Sequence, residues 1–93
     1  MDDLKKAQYA KKLVKKLANG QEINIRLLLN HIILFTNVFE IDIAKELLMF
    51  NCSETEQSIM KSVLLFLGFT RKDEYGGIPY HAKTVELLRA EKI

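Results

Sequence analysis

Residues 53–69 read Ser-Glu-Thr-Glu-Gln-Ser-Ile-Met-Lys-Ser-Val-Leu-Leu-Phe-Leu-Gly-Phe, a stretch that carries both a start and a stop signal for a helix. At the start, Ser53 can accept a hydrogen bond from the backbone of Glu56, whose side chain reaches back to the Ser53 backbone; this is the capping-box pattern. At the stop, Gly68 tolerates the left-handed conformation that follows a helix, and Phe69 can make the apolar contact of a Schellman motif. The stretch therefore predicts a helix over 53–67.

On either side of this stretch, apolar residues recur at the spacing of amphipathic helices. The predicted helices cover 3–18, 22–38, 40–50 and, after an N-cap at Thr84, the short segment 85–91. The first is stopped by Asn19-Gly20. A strand is the competing interpretation of 22–38, but the length of that segment and its lack of period-two alternation favour a helix.

The same periodicity assigns an inner and an outer face to the helix over 40–50. Its predicted inward residues are Ile41, Ile43, Ala44, Leu47, Leu48 and Phe50, and its predicted outward residues are Asp42, Lys45 and Glu46. In the helix over 53–67, the inward set is Ile59, Met60, Val63, Leu64, Phe66 and Leu67.

Residues 70–83 break the helical pattern, because they contain Gly76-Gly77 and Pro79. A loop or a short hairpin is expected there, with Pro79 confining the second arm to an edge. The fold class that follows is all-α: a small bundle of four main helices plus a short C-terminal helix, with a hairpin-like loop at 70–83. At 93 residues and 10.8 kDa, the chain has room for one domain, 1–93.

Charge is unevenly distributed along the chain, although the net charge of +2 is too small by itself to indicate nucleic-acid binding. Residues 1–20 carry six lysines against two aspartates, whereas 21–60 carry two basic and six acidic side chains. On the first helix, one face gathers Lys5, Lys11, Lys12, Lys15 and Lys16. A solvated surface, an acidic protein partner and a nucleic-acid backbone are the three interpretations of this lysine face.

The loop at 70–83 supplies a second set of candidate binding residues. Exposed aromatics on a turn are typical interface anchors, which points to Tyr75, Ile78, Tyr80 and His81. Its cations are Arg71, Lys72, His81 and Lys83, nearly offset by Asp73 and Glu74. The order of elements also fits a helix-turn-helix with a wing, but Glu54 and Glu56 at the start of the would-be recognition helix would repel DNA phosphates.

No pattern in the sequence indicates catalysis, a metal site or a cofactor. Four polar residues lie on the second helix, Arg26, Asn30, His31 and Asn37, and each is expected to have a structural role. Arg26 is expected to pair with an acid of a neighbouring helix, the Asn side chains to bond to loop backbone, and His31 to be a satisfied core residue. Cys52 precedes a helix N-terminus, where a thiol pKa is lowered, but no partner base is placed beside it. Two histidines and one cysteine are too few soft ligands for zinc.

The chain is expected to be cytoplasmic and to have no membrane-spanning segment. Its single cysteine allows no internal disulfide, and no charged-then-apolar leader is visible. The most apolar stretch, 23–39, is interrupted by polar residues and reads as a core helix rather than a membrane span.

Residues 30–39, Asn-His-Ile-Ile-Leu-Phe-Thr-Asn-Val-Phe, together with 44–50, Ala-Lys-Glu-Leu-Leu-Met-Phe, and 64–67, Leu-Leu-Phe-Leu, carry a resemblance. The region 25–68 resembles short, uncharacterised helical proteins of large tailed bacteriophages. The resemblance implies a shared helical fold and a phage origin, and hence action in the host cytoplasm. It implies no catalytic or binding residue.

The leading functional hypothesis is a small non-enzymatic binding or adaptor protein that docks on a larger host or phage protein through the lysine face or the loop. The alternative is a nucleic-acid-binding regulator that uses the lysine face together with Arg71, Lys72 and Lys83. A self-associating homodimer is a third interpretation, because the central helices are rich in apolar residues.

Overall fold

A computed structural model describes residues 2–91, so residues 1, 92 and 93 of the predicted domain lie outside the described part of the chain. The five helices of this range are α1 (Asp3–Ala18), α2 (Ile25–Thr36), α3 (Ile41–Met49), α4 (Glu54–Phe66) and α5 (Ala82–Glu91). Between residues 2 and 91 no strand is present. The all-α class, with four main helices and a short last one, is confirmed.

The core lies where α1, α2 and α4 meet, and two residues from each of the shorter helices α3 and α5 close it. α1 and α2 share the most extensive contact, and α1 and α5 each pack on α4. The largest fully buried side chains include Phe35 of α2, Leu17 of α1 and Met60 of α4. α3 contributes Ala44 and Leu48, and α5 contributes Thr84 and Leu88.

The start and stop of α4 follow the local sequence signals. The Ser53 N–H donates to Glu56 Oε1 at 2.8 Å, and the Glu56 N–H donates to Ser53 Oγ at 3.2 Å, so the predicted capping box is confirmed. The first of these bonds is the main cause of the lowered pKa of Glu56. Gly68 adopts a φ of +81°, and the Phe69 N–H donates to the Leu64 carbonyl at 2.9 Å, as in a Schellman motif.

The second and third helices are shorter than their hydrophobic patterns predict. Asn24 caps α2 through its side-chain oxygen, which accepts from the Leu27 N–H at 3.1 Å, so this helix begins three residues later than expected. Glu40 caps α3, whose last helical residue is Met49. Phe50 already has extended backbone angles, φ −62° and ψ 132°. The apolar periodicity therefore continues beyond the helices that it predicts.

The segment between α4 and α5 is a loop rather than the short hairpin, the other form that the sequence allowed. Successive turns are closed by the Glu74 N–H on the Arg71 carbonyl (3.2 Å) and the Gly76 N–H on the Asp73 carbonyl (3.2 Å). The carbonyl of Ile78 accepts from the Lys61 ammonium of α4 instead of from a strand partner. A side chain of α4 thus takes the place that a second strand would have filled.

The predicted N-cap at Thr84 is wrong, because α5 begins at Ala82 and Thr84 is fully buried within it. His81 stands at the capping position: its Nδ1 accepts from the Thr84 N–H at 3.4 Å and lies 2.9 Å from Thr84 Oγ1. The His81 N–H donates to Ser62 Oγ of α4 at 3.0 Å. The start of α5 is therefore set by a contact with α4 rather than by neighbouring residues alone.

Candidate binding surfaces

Four of the five lysines on the lysine face of α1 are exposed, and the fifth forms a hydrogen bond to another helix. The exposed members are Lys5, Lys12, Lys15 and Lys16, and none of them forms an ion pair with a described residue. Lys11 instead donates to the Leu47 carbonyl of α3 at 2.9 Å, and its ammonium lies 5.7 Å from the centroid of the Phe50 ring. Including Lys11 in an exposed face is therefore wrong, because it fastens α1 to the end of α3.

An aromatic pair lies beside the exposed lysines. Tyr9 of α1 stacks on His31 of α2 with ring centroids 4.5 Å apart and ring planes 13° from parallel. The His31 Nδ1 lies 2.8 Å from the Leu27 carbonyl, and because a carbonyl can only accept, Nδ1 carries the proton. Tyr9 keeps 42% of its surface exposed, and an open depression of about 310 Å³ joins it to Lys5, Gln8 and Lys12.

The polar residues of α2 otherwise serve the structure or face solvent. The Arg26 Nη2 lies 2.6 Å from Glu91 Oε1 of α5, which is the expected pairing with an acid of a neighbouring helix. Asn30 and Asn37 are exposed, and Asn37 is the C-cap residue of α2.

The prediction that Tyr75 is an exposed aromatic of the loop is wrong. Its side chain is half-buried against the hydrophobic core, and its hydroxyl, like Thr70 Oγ1, is buried without a hydrogen-bond partner among the described residues. Burial raises the pKa of Tyr75. The ring turns inward because it replaces solvent with apolar neighbours under the loop.

Ile78 and Tyr80 are held by α4 through one buried cation, Lys61, of which only 4% is exposed, whereas His81 is held by Ser62. The Lys61 ammonium donates to the Ile78 carbonyl and lies 4.8 Å from the centroid of the Tyr80 ring. The Tyr80 hydroxyl donates to the Lys72 carbonyl at 3.1 Å, although the ring remains partly exposed. Lys61 was missed from the sequence, where its position among Ile59, Met60, Val63 and Leu64 is the signal that could have revealed it.

The basic residues of the loop have acidic neighbours. Arg71 lines an open depression of about 570 Å³ together with Asp42 and Asp73. Lys83 lines a different one, of about 260 Å³, together with Glu22. The structure thus separates these cations into sites of mixed charge, whereas the exposed lysines of α1 remain together on one helix.

A groove of about 680 Å³ runs between α3 and the loop, and no pattern in the sequence indicated it. Its walls are Asp42, Lys45, Glu46, Met49, Phe50, Glu74 and Tyr75. Phe50 is 65% exposed and Ile43 is 49% exposed, so the prediction that both face the core is wrong. Because α3 ends at Met49, the extended backbone at Phe50 carries that ring outward. Phe66, also predicted inward, is 40% exposed near the end of α4.

Lys45 forms the junction between α3 and the loop, contrary to the prediction that it faces water. Only 11% of its side chain is exposed, and its ammonium lies 2.6 Å from Glu74 Oε2 and 3.6 Å from Asp42 Oδ1. The hydrogen bond between Lys45 and Glu74 is the main cause of both the raised pKa of Lys45 and the lowered pKa of Glu74. The single positive charge of Lys45 offsets only one of the three carboxylates of Asp42, Glu46 and Glu74, so the rim of the groove is acidic.

The thiol of Cys52 is not activated by the start of α4. Burial raises the pKa of Cys52, and its Sγ lies 3.2 Å from the Leu48 carbonyl. The expectation of a lowered pKa is therefore wrong, because removal from water outweighs the attraction of the nearby Lys11 ammonium. Within residues 2–91, no group of three or more His, Cys, Asp or Glu side chains is arranged to hold a metal ion.

The fold and these surfaces define a small all-α protein with an exposed lysine face on one helix and an acidic, partly apolar groove beside another. The chain belongs to DUF7207, described as a family of unknown function, whose model matches residues 1–91. No curated protein and no solved structure matches the chain. In the described part of the chain, no helix has both the length and the apolarity that crossing a membrane requires.

Proposed function

We propose that the protein is a non-enzymatic adaptor that docks on a larger protein through the groove between α3 and the loop. The exposure of Phe50 is the observation that carries this proposal. At 65%, it exceeds the exposure of every other large apolar side chain described. Full burial of a phenylalanine gains about 1.5–3 kcal/mol, and aromatic anchors dominate protein interfaces.

The chemistry of the groove specifies the kind of partner. Met49 and Phe50 provide apolar surface, and methionine adapts to irregular partners. Asp42, Glu46 and Glu74 surround this surface with carboxylates, and Lys45 is already paired with two of them. The partner segment that complements this site is basic and amphipathic, with an apolar anchor for Phe50 and lysines or arginines for the rim.

A calorimetric titration with a synthetic helical peptide tests this proposal. The peptide carries leucines at i, i+3, i+4 and i+7 and lysines elsewhere; a peptide of the same pattern with glutamates replacing lysines is its control. We expect binding of the basic peptide only, weakened about tenfold or more by Phe50→Ala. Phe66→Ala is the matched variant, since Phe66 is also an exposed phenylalanine near a helix end. Equal losses from Phe50→Ala and Phe66→Ala would overturn the proposal.

The proposal includes a phage origin and action in the host cytoplasm, supported by the resemblance of residues 25–68 to short phage proteins. Fractionation of infected cells, with an antibody against the chain, tests it. Recovery in the membrane pellet instead of the cytoplasmic fraction would contradict the location.

A homodimer is supported by two exposed apolar residues, Leu34 near the end of α2 at 51% and Val38 just after the helix at 46%. Light scattering after size exclusion gives the mass directly. A mass of 10.8 kDa at micromolar concentration would argue against self-association.

A second candidate function, nucleic-acid binding, is favoured by the Tyr9–His31 stack beside the exposed lysines. In this version the phosphate contacts come from Lys5, Lys12, Lys15 and Lys16. Lys11, Arg71, Lys72 and Lys83 are left out. Lys11 is engaged by α3, Arg71 and Lys83 line depressions that also contain carboxylates, and Lys72 is next to Arg71 in the loop. Log affinity should fall linearly with log salt concentration.

A further inference from the structure

We infer that Tyr9 and His31, flanked by Lys5 and Lys12, form a stacking site for an unpaired nucleobase of single-stranded nucleic acid. The inference rests on the second candidate function and narrows it to one class of ligand and one set of contacts. It depends on the orientation of the two rings, on the position of the lysines and on the exposure of Tyr9.

The orientation of the Tyr9 ring is fixed before any ligand arrives. His31 covers the ring at 4.5 Å with the planes 13° from parallel, and the His31 ring is held by its Nδ1 on the Leu27 carbonyl. A preset aromatic surface loses little side-chain freedom on binding, so more of the stacking free energy is retained. With 42% of its surface exposed, Tyr9 can extend the existing stack by one further flat ring.

The cations stand on both sides of that ring along α1. Lys5 is four residues before Tyr9 and Lys12 is three residues after it, so the three side chains share one face of the helix. At 1.5 Å of rise per residue, the two lysines are about 10 Å apart along the axis. All three residues line the same depression. Such a site can stack one base while its lysines contact the phosphates on either side.

The aromatic pair favours a single strand over a duplex or an acidic protein. Within a duplex each base is already stacked on both neighbours, so its face is closed to Tyr9, and only the phosphates, sugars and base edges in the grooves remain to be bound. An acidic protein surface would engage the lysines alone. Unpaired bases offer the flat surface that a Tyr–His stack matches, and stacking on aromatics together with basic side chains is the usual mode of single-strand binding.

Fluorescence anisotropy with the full chain tests the inference. The probes are a labelled 12-nucleotide oligothymidylate and a 12-base-pair duplex, each at 50 and 200 mM salt. We expect tighter binding of the single strand, a loss of about tenfold with Tyr9→Ala at unchanged salt slope, and near wild-type affinity with Tyr9→Phe. Lys12→Gln should reduce the salt slope by about 0.7, and Lys72→Gln is the matched control.

A second readout uses the binding of the wild-type chain. In a ¹H NMR titration with the same oligothymidylate, the ring protons of Tyr9 should shift upfield, because the base that stacks on this ring shields them. Their assignment follows from the wild type and Tyr9→Phe spectra. Circular dichroism of Tyr9→Ala verifies that α1 remains folded, and loss of its helical signal would transfer the test to Tyr9→Leu, which keeps an apolar side chain at the position.

The outcomes separate this inference from the function on which it rests. Equal affinity for single strand and duplex, with an effect of Lys12→Gln and none of Tyr9→Ala, would overturn the stacking site while leaving phosphate binding in place. Absence of binding to both probes at 50 mM salt would overturn both. Binding of polyglutamate in that case would identify an acidic protein as the partner of the α1 lysines.

Discussion

The lysine surface of α1 and the groove beside α3 are built in opposite ways. The lysines lie on one helix, and their spacing alone places them together; only His31 comes from elsewhere. The groove joins α3 to residues 74 and 75 of the loop, about 25–30 positions away in sequence. Its rim exists because the Lys45 ammonium holds Glu74 at 2.6 Å. One surface follows from helical periodicity, and the other depends on a tertiary contact.

Three lysines show why charge along the sequence differs from charge on the surface. Lys11 donates to the Leu47 carbonyl, Lys45 pairs with Glu74 and Lys61 donates to the Ile78 carbonyl. Each links a helix to another helix or to the loop, and each occupies a position that a count of charges would assign to solvent. The groove side of the molecule uses its cations internally, and the α1 surface leaves four of them exposed.

The largest expected effect on stability concerns α3, the helix that forms one wall of the groove. Leu48 is fully buried on the inner face of α3, and Leu48→Ala should lower the free energy of unfolding by about 3 kcal/mol through lost burial and a cavity. Phe50→Ala, two residues away, should change it by less than about 0.5 kcal/mol because the ring is 65% exposed. Urea unfolding measures both. A Phe50→Ala effect as large as that of Leu48→Ala would mean that Phe50 belongs to the core.

Lys61 provides the next largest effect. Lys61→Ala removes a buried stem and leaves the Ile78 carbonyl without its donor, so we expect a loss of about 2 kcal/mol in unfolding free energy. Lys61→Met keeps the apolar stem and should cost about 1 kcal/mol. Hydrogen exchange should show faster exchange of the His81 amide in both variants. Unchanged exchange there would contradict the role of Lys61 in holding the loop.

A smaller effect is expected from acid. The pKa of Glu74 is lowered by its hydrogen bond to Lys45, so the pair stabilises the fold above the ordinary value of 4.5, and that contribution is lost as pH falls through the lowered pKa. On the alkaline side, the pKa of Lys45 is raised, so the stabilisation by the pair is fully present below 10.5, the ordinary lysine pKa. It is lost as pH rises through the raised pKa. We expect at most about 1 kcal/mol, since the pair is partly exposed.

Urea midpoints between pH 3 and 7, for the wild type and for Glu74→Gln, measure this contribution. The variant should lose part of the acid dependence and keep the part that comes from Glu56, whose pKa is also lowered, by the capping box. An identical acid dependence in the two proteins would show that the Lys45–Glu74 pair adds no stability.

The smallest effect distinguishes the α1 surface from the groove side. Lys15→Gln should change the free energy of unfolding by less than about 0.5 kcal/mol, because Lys15 is exposed and forms no ion pair with a described residue. Lys11→Gln, which replaces the charged donor to the Leu47 carbonyl with a shorter, neutral amide, should cost about 1 kcal/mol. Thermal unfolding of the two variants side by side checks this order, and the reverse order would contradict the division of the lysine face.

The helix starts and stops that the structure confirms rest on contacts between near neighbours. The capping box of Ser53 and Glu56 and the stop at Gly68 need only residues within five positions of each other. The start of α5 and the inward turn of Tyr75 were missed because they depend on Ser62 and on the core, both distant in sequence. The apolar periodicity continues beyond Met49, the last residue of α3, and therefore wrongly predicted that Phe50 faces the core.

The most direct test of the proposed docking site is a nitrogen-15 NMR titration of the wild-type chain with the basic amphipathic peptide. We predict that the amide signals that shift most belong to residues of the groove, Glu46, Met49 and Phe50 first, while Tyr9 and its neighbours on α1 remain unperturbed. Shifts centred on α1, or spread evenly over the molecule, would contradict a specific docking site between α3 and the loop.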